Sequence, residues 1–303
     1  MGSEMCIRDR VKETLATSDL ILAINVRFGE MTTDNYQLFD VPEMRQNLIH
    51  VHPSSRELGK IYRPDLAIQS GPNDFVAALK PIQKNPAWRD AARARYKATF
   101  DLPSQPGPVD MAHVIRHVQT QMADDAILTN GAGNFAIWNN KYIRYGAQHR
   151  LLAPQSGAMG YGLPAAIAAK VVHPDRQVIC FAGDGDFQMN LPELGTAMQA
   201  GACPIVLILN NGSYGTIRMH QERHYPERVS ATNLQNPDFV SLAKSYGFHA
   251  ERVEETRDFE AAFSRAIQSR SGAVLELMTG TEAITPKTTL SQIRAAALGV
   301  KTH

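Results

Sequence analysis

Val178-Ile179-Cys180-Phe181-Ala182-Gly183-Asp184-Gly185-Asp186 is an apolar run that ends abruptly in an acid between two glycines. Pro204-Ile205-Val206-Leu207-Ile208-Leu209-Asn210-Asn211-Gly212-Ser213 repeats the plan, with amides where the first run has acids. Short continuous apolar runs of this kind suit strands buried on both faces. Residues 186 to 209, 24 in all, separate the two polar ends, enough for a turn, a helix and a return strand. Parallel strands joined by a crossover helix point the same way. Asp184 and Asn211 should therefore converge at the carboxyl edge of one sheet, where open α/β sheets bind ligands. A carboxylate, an amide oxygen and free loop carbonyls suit a hard cation such as magnesium, which also keeps phosphate oxygens as ligands. Gly183 and Gly185 let a diphosphate approach the backbone, and the following amides can cradle it.

Outward from this centre the same alternation continues. Ala126-Ile127-Leu128-Thr129 reads as a strand running into Asn130-Gly131-Ala132-Gly133-Asn134. A second glycine loop, 157–162, precedes an alanine-rich helix opened by Pro164, and Ala273 to Met278 reads as a final strand. Val109 to Met122 has helical spacing, Asn190 and Glu193 form a capping-box pattern, and Gly201 fits a helix stop. Strands alternating with helices imply a doubly wound parallel sheet over 108–280. Before it, Asp19–Ile24 and Leu48–His52 read as strands and 74–79 as a helix capped by Asn73 or Asp74, which makes 11–80 part of a smaller α/β domain. Five prolines and the basic stretch Arg89 to Lys97 mark 81–107 as a linker. Residues 281–303 form a tail to which the sequence assigns no role, and the leader 1–10 looks foreign to the rest of the chain.

The 303 residues suffice for about two domains. A net charge of +1 gives no reason to expect nucleic acid or a charged membrane as partner. No apolar run reaches the roughly 18 residues of a membrane span, and the leader lacks a signal-peptide core. Cys6, Cys180 and Cys203 have no paired spacing; the last two sit in apolar runs as buried free thiols, which suits a reducing, cytoplasmic setting.

The motifs together resemble the thiamine diphosphate-dependent enzymes. GDG, 24 residues and then NN looks like that family's cofactor motif, and SGAMGYGLPAAIAA, TNGAGNFAIW and GDGDFQMNLPELGTAMQ resemble its acetolactate synthase-like branch. The resemblance covers about residues 11–280: first part of the family's middle domain, then its diphosphate-binding domain. It implies magnesium ligation by the side chains of Asp184 and Asn211 and by the Ser213 carbonyl. It implies a diphosphate lined by Gly131, Asn134, Phe135, Gly183, Gly185, Asp186 and Tyr214. Gly157 would offer its carbonyl to the aminopyrimidine, and Met159 would prop the cofactor into its bent shape. The reaction implied is decarboxylation or carboligation of a 2-oxo acid.

Each motif has a plainer reading. GDG and Asn-Asn are common in turns, Met159 alone would be core packing, and the loop at 157–162 could be a dinucleotide fingerprint. That loop is spaced GxxGxG rather than GxGxxG, however, and no clear strand feeds it. A nucleotide-binding oxidoreductase is one alternative; a non-catalytic cofactor-binding subunit is another. The family's activating glutamate lies in a pyrimidine-binding domain that this sequence does not match, so no catalytic base is named. The expectation is a truncated chain, inactive alone, whose full-length parent is a homodimer or homotetramer. Where biosynthetic acetolactate synthases resemble one another in an Arg-Phe-Asp-Asp-Arg run, this sequence has Arg27-Phe28-Gly29-Glu30-Met31, so FAD is not expected. Where they carry a Met and a Trp in the substrate pocket, it has Thr216 and His220. That makes a smaller, more polar wall, with pyruvate the leading substrate. His224 and Tyr225 nearby suit a solvated face.

Overall fold

The computed structural model describes residues 4–81 and 86–299, with side chains from residue 11 onward. Residues 1–3 of the leader, 82–85 of the linker and 300–303 of the tail lie outside the described residues. The chain divides into two compact units, Met5–Thr99 and the residues from Phe100 onward.

In the first unit, β1 (Leu20–Ile24), β2 (Asn47–His52) and β3 (Leu66–Gln69) form a parallel sheet in the order 1-2-3. Its core is small: Ala23, Leu48 and Tyr62, with Phe28 and Phe39 edge-on against the Tyr62 ring. Helix α1 (Glu4–Thr17) runs across the boundary drawn at residue 10. Helix α2 (Pro72–Ala78) starts at its proline with Gly71 before it, so neither Asn73 nor Asp74 caps it. Proline fits that first position because the N–H it lacks has no partner in a first turn. Helix α3 (Ala87–Lys97) falls on the basic stretch.

The second unit is a doubly wound sheet. Six strands, β4 (Ile127–Asn130), β5 (Arg150–Leu152), β6 (Val178–Gly183), β7 (Ile205–Asn210), β8 (His249–Val253) and β9 (Ala273–Met278), pair in the order 5-4-6-7-9-8, all parallel. Side chains alternate between faces, and both faces are apolar. Ile205, Leu207 and Leu209 of β7 join Phe181, Leu275, Phe259 and Phe263 on one side. Val206 and Ile208 join Cys180, Val274, Leu194 and Phe239 on the other. Helices α4 (Met111–Gln121) and α10 (Phe259–Gln268) pack on the first face, and α5 (Gly162–Val172), α7 (Glu193–Ala200) and α9 (Phe239–Ser245) on the second. Helices α6 (Asp184–Gln188) and α8 (Gly215–His224) leave the ends of β6 and β7, and α11 (Leu290–Ala297) packs on α8.

Local chemistry sets the helix ends. The Asp110 carboxylate accepts the Ala112 amide at 2.8 Å and starts α4. Gly201 ends α7 at φ +61°, left-handed backbone that glycine adopts without strain. The capping box expected of Asn190 and Glu193 does not form. The Asn190 amide donates instead to the Gly160 carbonyl at 2.8 Å, and Glu193 takes the Thr196 hydroxyl. Cys180 is buried as expected, whereas Cys203 is only half-buried. Among the described residues no helix is long and apolar enough to cross a membrane.

Candidate active site

The chain moves from β4 outward to β5, then returns across β4 to lay down β6. The strand order therefore reverses between β4 and β6, and a crevice opens beyond their carboxyl ends. The loop after β4 brings Gly131–Phe135 to that crevice, and the turn after β6 brings Gly183–Asp186.

Close packing dictates the glycines here. A Cβ on Gly183 would stand 2.8 Å from the Phe135 ring, one on Gly185 2.5 Å from the Tyr214 ring, and one on Gly131 2.0 Å from the Asp186 carboxylate. Real side chains do not approach that closely, so the two rings and the carboxylate pack directly on bare backbone, and Gly183 and Gly185 line the crevice. The result is a cleft of about 680 Å³ measured out to its open mouth.

Asp184 and Asp186 start α6 and are both buried. Asp186 Oδ1 accepts the Gly160 amide at 2.8 Å and the Ala132 amide at 3.1 Å, so one oxygen ties together the glycine loops after β4 and before α5. Burial pushes its pKa up to about 6, partly offset by those two amides. Burial also raises the Asp184 pKa; the Asn236 carboxamide, 2.7 Å from Oδ2, and the amides of Gly185 and Gly212 act against the rise. From the end of β7, Asn211 turns its side-chain oxygen onto the Ser213 amide at 3.0 Å. The Ser213 carbonyl accepts the Gly215 amide at 2.8 Å and keeps a second lone pair.

Among the residues singled out in the sequence, Asn134, Phe135, Met159, Gly183, Asp184, Gly185, Asp186, Asn211, Ser213, Tyr214 and Thr216 all line the cleft. Asp184, Asn211 and Ser213, which arrive on two different strands, are thus brought to one wall. Gly131 is buried behind that wall against Asp186, and Gly157 lies in an exposed turn at φ +68°. Asn134 has its amide already engaged: it donates to the Ile284 carbonyl at 3.0 Å and accepts the Thr216 hydroxyl at 3.1 Å. His220 is not brought in. It is exposed, one turn beyond Thr216 on α8 and past the rim, with its ring stacked on His224. A short strand, β5, does precede the glycine loop at 157–162, so the absence of a feeding strand no longer separates that loop from a dinucleotide fingerprint; its spacing still does.

The sequence reading missed part of the wall. Met111 from the start of α4, and Thr279, Ala283 and Ile284 from the chain after β9, line the cleft as well. The tail therefore contributes to the site. Ile284 packs with Met219, Leu290 and Ile293, and an apolar spacing over 284–293 was the only local signal of it.

Comparison with known proteins gives two family matches. Residues 131–277 match the thiamine pyrophosphate enzyme C-terminal TPP binding domain, and residues 2–79 match the thiamine pyrophosphate enzyme central domain. The chain is 30% identical over 272 residues to an acetolactate synthase of Arthrospira platensis, which covers 86% of this chain and 46% of the relative. It is 31% identical over 271 residues to the acetolactate synthase large subunit of Parasynechococcus marenigrum, with 86% and 43% covered. It is 29% identical over 279 residues to the mitochondrial acetolactate synthase catalytic subunit of Saccharomyces cerevisiae, with 86% and 40% covered. The chain thus spans somewhat less than half the length of these relatives.

Proposed function

This chain belongs to the thiamine pyrophosphate enzyme family, and from that premise we propose that its cleft holds the diphosphate of the cofactor, also called thiamine diphosphate, through a magnesium ion. The full-length protein would use the cofactor to decarboxylate a 2-oxo acid and join the remainder to a second carbonyl compound. The observation that carries this reading is the convergence of Asp184, Asn211 and Ser213 on one wall, beside glycines at which no side chain fits.

The donor set suits a hard, oxygen-seeking cation. Asp184 supplies an anionic oxygen, Asn211 an amide oxygen and Ser213 a carbonyl. Gly183 and Gly185 line the cleft as bare backbone, with the Phe135 and Tyr214 rings packed where a Cβ would stand, and backbone amides at such glycines are groups that can meet a phosphate. Met159 and Ile217 give the remainder of the cleft an apolar wall against which an organic ring can rest. When bound, thiamine diphosphate stabilises the carbanion left after a 2-oxo acid loses carbon dioxide.

The residues of this chain bind and orient. Asp186 is a brace: its single oxygen fixes two glycine loops and leaves the Asp184 carboxylate to face the cation. Thr216, its hydroxyl held by Asn134, stands where the resemblance implies a bulkier apolar side chain, which supports pyruvate as the leading substrate and no strong preference for 2-oxobutyrate as acceptor. The activating glutamate that the family resemblance implies has no counterpart among the residues matched here, so we assign no acid–base residue.

Asp184→Ala tests the assignment. It removes the anionic ligand and leaves the diphosphate charge uncompensated. Titration calorimetry on the full-length protein should register loss of magnesium-dependent cofactor binding. Undiminished magnesium-dependent binding by the variant would rule the assignment out.

A further inference from the structure

Beside the cleft runs a connected row of polar groups, buried at Glu276, Asn210 and Asp184 and reaching solvent at its ends, whose directions are not free. Arg252 on β8 donates its Nε to Glu276 Oε2 at 2.7 Å. Glu276 is buried in the otherwise apolar strand β9. Its other oxygen accepts Asn210 Nδ2 at 2.7 Å. Asn210 Oδ1 in turn accepts Asn236 Nδ2 at 2.9 Å, and the same Asn236 nitrogen donates to Asp184 Oδ2 at 2.7 Å. Asn236 Oδ1 accepts Gln188 Nε2 at 2.8 Å.

The orientation of each amide follows from the one before. An ionised glutamate only accepts, so Asn210 must turn its NH2 to Glu276. Its oxygen is then left facing Asn236. Asn236 must answer with its own NH2, and the second hydrogen of that group is the one that reaches Asp184. Flipping either amide would set oxygen against oxygen. The charge on Glu276, held by Arg252, thereby decides which face Asn236 presents to Asp184.

We propose that Asn236 is a positioning residue for the cation site, and that Glu276, with Arg252 behind it, fixes the polarity of the amide relay that aims Asp184. The proposal rests on the reading of Asp184 as the anionic ligand. A carboxylate rotates broadly about its last torsion. Asn236 pins Oδ2 and so leaves Oδ1 as the oxygen offered to a cation. Groups that orient a metal ligand in this way commonly change affinity 10- to 100-fold when removed.

The test uses the full-length protein with thiamine diphosphate and Mn2+ in place of magnesium. Electron paramagnetic resonance reads both the free ion and the symmetry of the bound one. Asp184→Ala should abolish cofactor-dependent Mn2+ binding; binding unchanged in that variant overturns the cation-site reading and this inference with it. Asn236 is half-buried in a loop, so Asn236→Ala is expected to fold, which circular dichroism checks. It should weaken Mn2+ binding about 10- to 100-fold and alter the line shape of the bound ion. A change under about threefold with an unaltered line shape, while Asp184→Ala is inactive in binding, overturns the inference alone. Glu276→Gln can present either end of its amide to Asn210 and should weaken binding in the same direction by a smaller factor. Unchanged Mn2+ affinity in a folded Glu276→Gln protein removes Glu276 from the relay.

Discussion

Glu222 should make the attachment of the C-terminal helix acid-labile. It is buried on α8 and receives Arg294 Nε from α11 at 2.8 Å, Arg218 Nε at 3.2 Å and the Glu227 amide at 3.1 Å. These donors, Arg294 first, hold its carboxyl down at about 2 against an ordinary 4.5. A depressed folded-state pKa means the unfolded state binds more protons in between. The stabilisation is therefore complete above about pH 4.5 and is lost as pH falls toward 2. At about 1.4 kcal/mol per unit the gap is worth roughly 3 kcal/mol at neutral pH. Both arginines stay partly in water, which screens the pair, and about 2 kcal/mol is the expected share. Glu222→Gln keeps the shape and removes the charge. Hydrogen exchange of the α11 amides, compared between wild type and variant at each pH, cancels intrinsic exchange rates. The protection ratio should be about thirtyfold at pH 7 and about fourfold at pH 3. A ratio that stays constant, or grows toward acid, would refute the reasoning.

Four further outcomes are expected. Gly131→Ala puts a methyl 2.0 Å from the Asp186 carboxylate and should destabilise by about 2 kcal/mol or more, read as a lowered melting temperature; Gly201→Ala, at positive φ with open space around it, should cost about 1 kcal/mol. Offered pyruvate and 2-oxobutyrate together, the full-length protein should lack a strong bias toward the 2-oxobutyrate product, because a wall made by Thr216 discriminates a methylene by no more than about 1 kcal/mol; a strong bias would restore a branched-chain biosynthetic role. The full-length protein should also carry no flavin absorbance band, since Arg27-Phe28-Gly29-Glu30-Met31 departs from the flavin-associated run; a yellow preparation would overturn this.

The sequence is legible where its signals are local. β6 and β7 are continuous apolar runs, and β9 is one broken only by Glu276, because both their faces are covered; the glycine- and amide-rich ends of β6 and β7 stand out against them. β5 has three residues, and β8, His249–Val253, lies at the sheet edge with charged residues along it. Neither carries a readable period. The capping pattern at Asn190 misled because a side chain that can cap a helix can equally bond a distant loop, here at Gly160. The engagement of Asn134 by Thr216 and Ile284 joins residues up to 150 positions apart, which no local pattern encodes. Glu276 did leave a sign, a lone carboxylate in an apolar strand. Asn236, in a polar stretch before Pro237, left none.

The buried acids of the second unit differ in what compensates them, and that difference bears on where a cation belongs. Glu222 meets two arginines, and its pKa falls. Glu276 meets Arg252. Asp186 is opposed only by backbone amides and Asp184 by a carboxamide and amides, and for both burial wins and the pKa rises. Buried carboxylates without a cation are costly, and they persist where something else repays the cost. Of the two, Asp186 is spent on bracing the glycine loops, with one oxygen holding two amides. Asp184 has Oδ2 fixed by Asn236 and stands on the cleft wall beside Asn211 and Ser213. It is the acid whose charge is directed but not balanced within the protein. The divalent ion proposed above, held by Asp184, would balance it, while a neutral ligand in the same cleft would leave the cost standing. The placement of Asp184 on the cleft beside Asn211 and Ser213 is thus in keeping with the proposed metal–diphosphate ligand.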